Sequence, residues 1–243
     1  MGAAGLGGCI FPDLSGLTTN DSAGDAAPSI TSWCASQGTH QLCEDFDESD
    51  AIDPAWQRIE NPGTLTLATG GSRSAPRSLL ATTPKNSDTN VYTPALIQRA
   101  WTNVASHAHL DFDMQALTLD PADWGSVFQI FFGSPAAASS LVLTFKSGNV
   151  FVRESQFENG SVEHDWQHPD HAFTPSGWFH VSVDVESGPR TVTIAIEGGP
   201  TIVESLSATW AAGPPMLQLG VVYSNGIASG WQFQYDDVVF DTL

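Results

Sequence analysis

Two adjacent carboxylates, Asp236 and Asp237, interrupt the strand-like run Trp231-Gln-Phe-Gln-Tyr-Asp-Asp-Val-Val-Phe-Asp241. Trp231, Phe233 and Tyr235 alternate with glutamines, the pattern of a strand with one buried face. Strict alternation puts Asp237 on the face of Tyr235 and Val239, and Asp236 on that of Val238 and Phe240. Either way an acid falls among apolar side chains, where an unpaired charge is too costly to keep. Backbone donors, a cation or a local bulge must compensate it. A second acidic group, Glu44, Asp45 and Asp47, lies near the start of the patterned region. Asp45-x-Asp47-x-Ser49 imitates the opening of an EF-hand loop. It then departs from it, with Asp50 where glycine is required and Trp56 in place of the bidentate glutamate.

Other residues offer different chemistry. In His109-Leu-Asp-Phe-Asp-Met114, Asp111 and Asp113 share one strand face at i, i+2 spacing. A glycosidase needs two carboxylates straddling the sugar, and this is the nearest pair; a solvated strand face explains it equally. Glu163-His-Asp-Trp-Gln-His-Pro-Asp-His171 is the densest set of transition-metal donors, with His164, His168 and His171 beside Asp165 and Asp170. It reads as a segment between strands, without the helical i, i+4 placement that makes such spacing specific. Trp166 in that segment, with Trp101 and Trp124, is a candidate platform for a pyranose face. No nucleophile elbow, P-loop or dinucleotide fingerprint is present.

The elements that must position these groups are short strands. Trp178 to Glu186 alternates Phe179, Val181, Val183 and Val185 against His180, Ser182 and Asp184, and Val192, Ile194 and Ile196 repeat the pattern after Ser187-Gly-Pro189. Leu141–Phe145 and Val150–Glu154 flank Lys146-Ser-Gly-Asn149, a hairpin signal. Further runs cover 44–48, 65–69, 78–83, 95–101, 109–117, 126–133, 201–205 and 217–221. Tight turns without crossover helices predict an all-β, antiparallel two-sheet jelly-roll β-sandwich over residues 33–243. Residues 1–32, rich in Ser, Thr, Gly, Ala, Asp and Pro, read as a flexible N-terminal tether.

Lys plus Arg number 8 against 27 Asp plus Glu, a formal charge of −19. That balance excludes nucleic acid and anionic membrane surfaces as general partners and disfavours long polyanions. Cys34 and Cys43 bracket a short polar loop, and a disulfide between them implies an oxidising, extracellular or periplasmic compartment. Leu6-Gly-Gly-Cys9 resembles a bacterial lipobox, although no charged n-region precedes it; lipidation of Cys9 is the expected route to any membrane.

Cys43-Glu-Asp-Phe-Asp47, Ser74-Ala-Pro-Arg-Ser-Leu-Leu80, Trp178–Val185 leading into Val192–Gly198, Leu217-Gln-Leu-Gly220 and Tyr235–Val239 together resemble the concanavalin A-like lectin/glucanase superfamily. The likeness is to laminin-G-like domains of exported bacterial proteins, and it runs from about residue 40 to the end. It implies a structural Ca²⁺ where the terminal strands meet, with Glu44, Asp45, Asp47, Asp236 and Asp237 as the ligand pool. Glycosidases of this superfamily carry Glu-x-Asp-x-x-Glu, which is absent here. Its polysaccharide lyases carry Gln-(Ile/Val)-His and a late Tyr-x-Lys-x-Gly-x-Tyr; this chain has Gln129-Ile-Phe131 and no Tyr-x-Lys strand. The resemblance therefore implies non-catalytic, lectin-like binding of a neutral or weakly charged glycan through Trp101, Trp124 and Trp166. The alternatives are a glycan-active hydrolase or lyase, with Asp111 and Asp113 as the acid pair, and a structural or adhesion domain that binds protein.

Overall fold

The computed structural model describes residues 32–85, 93–119, 124–134, 137–159, 161–225 and 230–243. Cys9 and the expected tether up to residue 31 lie outside them. A four-residue helix, α1 (Trp33–Ser36), precedes the strands β1 (Leu42–Glu44), β2 (Gln57–Glu60), β3 (Thr64–Thr69), β4 (Arg77–Thr83), β5 (Ala95–Ala100), β6 (His107–Thr118), β7 (Trp124–Ser134) and β8 (Ala137–Lys146). β9 (Asn149–Glu158), β10 (Ser161–Gln167), β11 (His171–Ala172), β12 (Trp178–Glu186), β13 (Thr191–Ile196), β14 (Thr201–Ser205), β15 (Pro215–Asn225) and β16 (Trp231–Thr242) complete the chain. They form two antiparallel eight-stranded sheets. Sheet I runs β14-β13-β12-β6-β16-β4-β3, with β1 also on β16; sheet II runs β10-β9-β8-β7-β15-β5-β2, with β11 also on β9. The jelly-roll sandwich expected from the sequence is the observed fold.

The core lies between the sheets because most strands, though not the edge strand β10, turn one side chain in two toward it. Phe112, Val181, Val183, Ile194, Phe233 and Phe240 of sheet I meet Phe128, Ile130, Leu143, Val152, Leu217 and Leu219 of sheet II, all 0 % exposed. Each such side chain contributes on the order of 1.5–3 kcal/mol of transfer free energy. Tyr235 crosses the core to donate its hydroxyl to the Val127 carbonyl at 3.1 Å, which satisfies the one polar atom it buries. The Lys146–Asn149 hairpin forms as expected, with Ser147 at φ 51° and Gly148 at φ 73° matching a primed turn. Cys34 and Cys43 are joined by a disulfide, Cα–Cα 5.7 Å, which ties α1 to β1.

Two local expectations change. The first strand ends at Glu44 rather than running to residue 48, because Phe46 takes φ 59° and turns the chain away. The histidine-rich segment is no loop: residues 161–167 pair with β9 as an edge strand, and His171 joins the same neighbour. Its side chains are exposed or half-buried throughout, so the two-residue alternation that marks a strand is missing from its sequence.

Candidate functional site

The functional candidates fall on three parts of the sandwich: the outer face of sheet II, the outer face of sheet I, and an acidic centre beside the terminal strands.

On sheet II, the register sets four glutamines in one row: Gln57 opposite Gln98, Gln98 opposite Gln218, and Gln218 opposite Gln129. They point outward because their strand neighbours Ile97, Leu219 and Ile130 fill the core. Gln218 donates to Gln98 at 3.0 Å and Gln98 to Gln57 at 2.8 Å. Toward one end of this face, Trp124, Lys146, Phe151, Arg153, Asp165 and Gln167 line a hollow of about 380 Å³. Trp124 packs on Tyr223 with ring centroids 5.0 Å apart, and Asp165 accepts from both Arg153 and Ser155. At the other end, Phe131 and Met216 are register partners two residues beyond Gln129 and Gln218. With Trp101 and Phe157 they line an apolar trough of about 610 Å³.

Of the three tryptophans, Trp124 lies on this face, whereas Trp101 borders the trough and packs its ring toward the core. Trp101 is partly buried, 4.6 Å from Phe240 by ring centroids, with the Arg99 guanidinium 5.8 Å from its ring centre. Trp166 takes the other side of β10 from Asp165 and Gln167 and packs beside His164, 5.5 Å between rings.

Asp111 and Asp113 sit on the outer face of sheet I, the opposite side of the molecule's core. They belong to a chain of contacts that strand register assembles from β6 and β12, pairing Asp113 with His180 and His109 with Asp184. His109 lies 2.7 Å from Asp111 and 2.9 Å from Asp184. His180 lies between Asp111 (3.5 Å) and Asp113 (3.4 Å), and the Arg73 guanidinium approaches Asp113 at 3.8 Å and Glu197 at 3.9 Å. The Asp111 hydrogen bond, with that of Asp184, lifts His109 to about 9. Asp111 and then Asp113 lift His180 to about 10. Burial works against ionisation of Asp111, yet the bonds from His109 and His180 hold it well below the usual carboxylate range. A carboxyl kept ionised cannot supply the proton that glycosidic cleavage requires.

The acidic centre gathers Asp45, Asp47, Asp236 and Asp237. A bulge in β16 between Asp236 and Val239 resolves the conflict seen in the sequence. Asp237 absorbs it at φ 51°, a conformation an aspartate tolerates. The core alternation then resumes with Val238 and Phe240, and Asp236 falls opposite Asp113 on sheet I. Asp236 Oδ2 accepts the backbone N–H of Arg73 (2.9 Å) and Ser74 (3.0 Å), and Ser74 Oγ donates to Asp237 at 2.6 Å. Asp47 accepts the Arg77 N–H at 2.8 Å and Asp45 that of Cys34 at 2.9 Å. Burial, then the neighbouring Asp237, pushes Asp236 up to about 8. Burial pushes Asp237 up to about 6, and Asp113, Asp45 and Asp47 add to the push. Asp47 Oδ2 is buried without a partner among the described residues. Among the described residues these four carboxylates do not bring three oxygens within 4.8 Å of one another, so as they stand they are neighbours and not a closed ligand set; their oxygen chemistry is that of hard-cation ligands. Glu44 stands apart: its oxygens accept Phe46 N–H at 3.1 Å and Trp56 Nε1–H at 2.9 Å, and burial raises it to about 7.

The histidine segment gathers no metal-ligand cluster among the described residues. His168 instead bridges the sheets' edges, Nε2 3.6 Å from buried Glu154 of β9 and Nδ1 3.4 Å from Glu204 of β14. Cys34, Asp45 and Glu48 do converge, but the sulfur is committed to the disulfide. Sequence reasoning missed His109, His180, Asp184 and Arg73, and the glutamine row. Their signal is cross-strand register, which no local pattern carries.

No family model matches the chain, and no curated protein matches it by sequence. Solved structures do match its fold. An endo-β-1,4-glucuronan lyase from the fungus Trichoderma reesei is 12 % identical, with TM-score 0.67 over 84 % of this chain and 96 % of that one. A cellulose-induced protein, Cip1, is 11 % identical, with TM-score 0.60 over 84 % and 98 %. A carbohydrate esterase from Shiga toxin-encoding bacteriophage phi24B is 12 % identical, with TM-score 0.54 over the same two shares. What this chain shares with them is the jelly-roll sandwich.

Proposed function

We propose that this chain is an exported, non-catalytic carbohydrate-binding domain that takes a neutral glycan along the outer face of sheet II. The observation that carries this is the row Gln57–Gln98–Gln218–Gln129 on the same outer face as the Trp124 hollow. Amides offer both donors and acceptors to sugar hydroxyls, and rings offer stacking area. From Trp124 to Gln129 along β7 is about 17 Å at the usual strand rise, room for a short oligosaccharide.

Solved structures of the same fold include a glucuronan lyase and a carbohydrate esterase, which supports a glycan-related role. The lyase pattern is degenerate here. Phe131 stands where Gln-Ile-His has its histidine. Met216-Leu-Gln218-Leu-Gly220-Val-Val222 keeps the glycine of Tyr-x-Lys-x-Gly-x-Tyr and loses both tyrosines and the lysine. The two segments are neighbours, Gln218 opposite Gln129, so these losses fall on one surface. Neither a base nor a lysine stands at those two positions, so the proton acceptor and the neutralising cation of that pattern are missing from them.

The acidic centre is proposed to hold a structural Ca²⁺ through Asp45, Asp47, Asp236 and Asp237, supported by the unpartnered Asp47 oxygen. The Cys34–Cys43 disulfide supports export. Affinity electrophoresis through gels containing neutral and acidic polysaccharides tests the reading. Retardation without polymer loss is expected on a neutral polymer. A cleared zone establishes an enzyme instead, and no retardation on any polymer, with or without calcium, overturns the glycan reading.

A further inference from the structure

The trough at the Phe131 end differs in kind from the rest of the face. Trp101, Phe131, Ala138, Phe157, Pro214 and Met216 line it, and among the described residues its polar side-chain groups are the hydroxyls of Thr102 and Ser134 and the Trp101 indole N–H. Phe131 and Phe157 hold their ring centroids 5.8 Å apart. Its volume, about 610 Å³, lies within the range of small-ligand pockets. A sugar ring placed there would strip water from hydroxyls that then find almost no partners, at roughly 1–3 kcal/mol for each one left unpaired. An apolar, flat group loses nothing by entering and gains stacking against aromatic rings.

The trough is continuous with the glutamine row. Met216 and Phe131 face each other one side-chain step from the facing pair Gln218 and Gln129, about 7 Å along the strands. One molecule therefore spans both surfaces if it carries hydroxyls at one part and an arene at the other. We propose that the trough binds an aromatic acyl substituent, of the hydroxycinnamoyl ester class, carried by the neutral glycan on the adjoining row. This rests on the glycan reading above and names the class of glycan: one esterified by aromatic acids. Binding only is proposed: among the described residues no general base lines the trough to activate the Thr102 or Ser134 hydroxyl.

The experiment uses the full chain and three probes: methyl ferulate, a feruloylated arabinoxylan oligosaccharide, and the same oligosaccharide after saponification. Saturation-transfer NMR is expected to show methyl ferulate bound through its ring, and calorimetry to give the feruloylated oligosaccharide at least tenfold higher affinity than the saponified one. Phe157→Ser, at a half-exposed position outside the core, is expected to erase that gain while the far-UV spectrum and the affinity for the saponified oligosaccharide stay unchanged. Absence of saturable methyl ferulate binding, or equal affinity before and after saponification, overturns the proposal. Methyl ferulate binding with no affinity for any saponified glycan sinks the glycan reading instead, and leaves the trough an arene site of another ligand.

Discussion

Asp113 and Asp236 are register partners across β6 and β16, and Arg73 serves both, through its guanidinium toward Asp113 at 3.8 Å and its backbone N–H to Asp236 at 2.9 Å. The segment Arg73–Ser74 thus links the acidic centre to the histidine chain on sheet I.

Asp236→Leu removes the acceptor of three backbone N–H groups, those of Arg73, Ser74 and Asp237, and is expected to cost about 3 kcal/mol or more, at about 1–3 kcal/mol for each buried donor left unsatisfied. Asp236→Asn keeps one acceptor and relieves repulsion from Asp237, so without calcium its urea midpoint should match or exceed that of the parent. In millimolar Ca²⁺ the parent should gain stability and Asp236→Asn should not. Equal calcium shifts in both proteins would remove Asp236 from the proposed centre.

The histidines on sheet I make stability depend on pH. A folded pKa raised above the ordinary value near 6.5 stabilises fully below that value and is lost as pH rises through the folded pKa. For His109 and His180 that loss falls toward about 9 and about 10. Asp111, held low, acts oppositely, its contribution present above the ordinary carboxylate value and lost on acidification. The Tm should therefore decline from pH 7 to 10, and decline less in His180→Gln. Because the His180 side chain is 44 % exposed, solvent screens part of the effect. Parallel Tm–pH curves for parent and variant would show the contacts to be thermodynamically silent.

Opposite faces predict independent mutational effects. Trp124→Ala should abolish retardation by a neutral polysaccharide with little change in Tm. Asp111→Asn should leave retardation untouched and lower the Tm. Loss of binding in Asp111→Asn at unchanged fold would move the binding site to sheet I.

Gly220→Ala tests the seam between β5 and β15. Gly220 has φ 128°, and a Cβ there would stand 2.3 Å from the Ala95 carbonyl oxygen. Strain at that φ and the clash together should cost about 2–5 kcal/mol in urea unfolding, and the lost register should reduce glycan binding with it. A cost below about 1 kcal/mol, the scale of an ordinary surface change, would mean the strand adjusts freely.

The sandwich was legible in the sequence where one face of a strand is buried, as in Trp178–Glu186, because burial writes a period of two into the residues. β10 was illegible because an edge strand exposed on both sides writes no period. The conflict at Asp236–Asp237 was legible as a requirement for compensation. That a bulge and two backbone donors from residues 73 and 74 meet it depends on pairings 162 and 163 positions apart in the chain. For the same reason the sequence does not say how the candidate acid Asp111 and the candidate platform Trp124 lie relative to each other, and the fold assigns them to opposite surfaces. Which sheet a strand joins is a property of topology.

The amide bonds run in one direction, from Gln218 to Gln98 and from Gln98 to Gln57. Exchanging oxygen and nitrogen in all three together preserves both internal bonds and reverses the direction, so the row has two states of equal internal bonding and opposite polarity. In one, the Gln57 end is left with the free donors and Gln218 with the free acceptor; in the other these roles are swapped. A single amide cannot turn alone without breaking a bond, so the three act as one two-position element. If the proposed glycan binds here, hydroxyl groups of either hydrogen-bonding sense can be met at the same place on the surface, one by each orientation of the row.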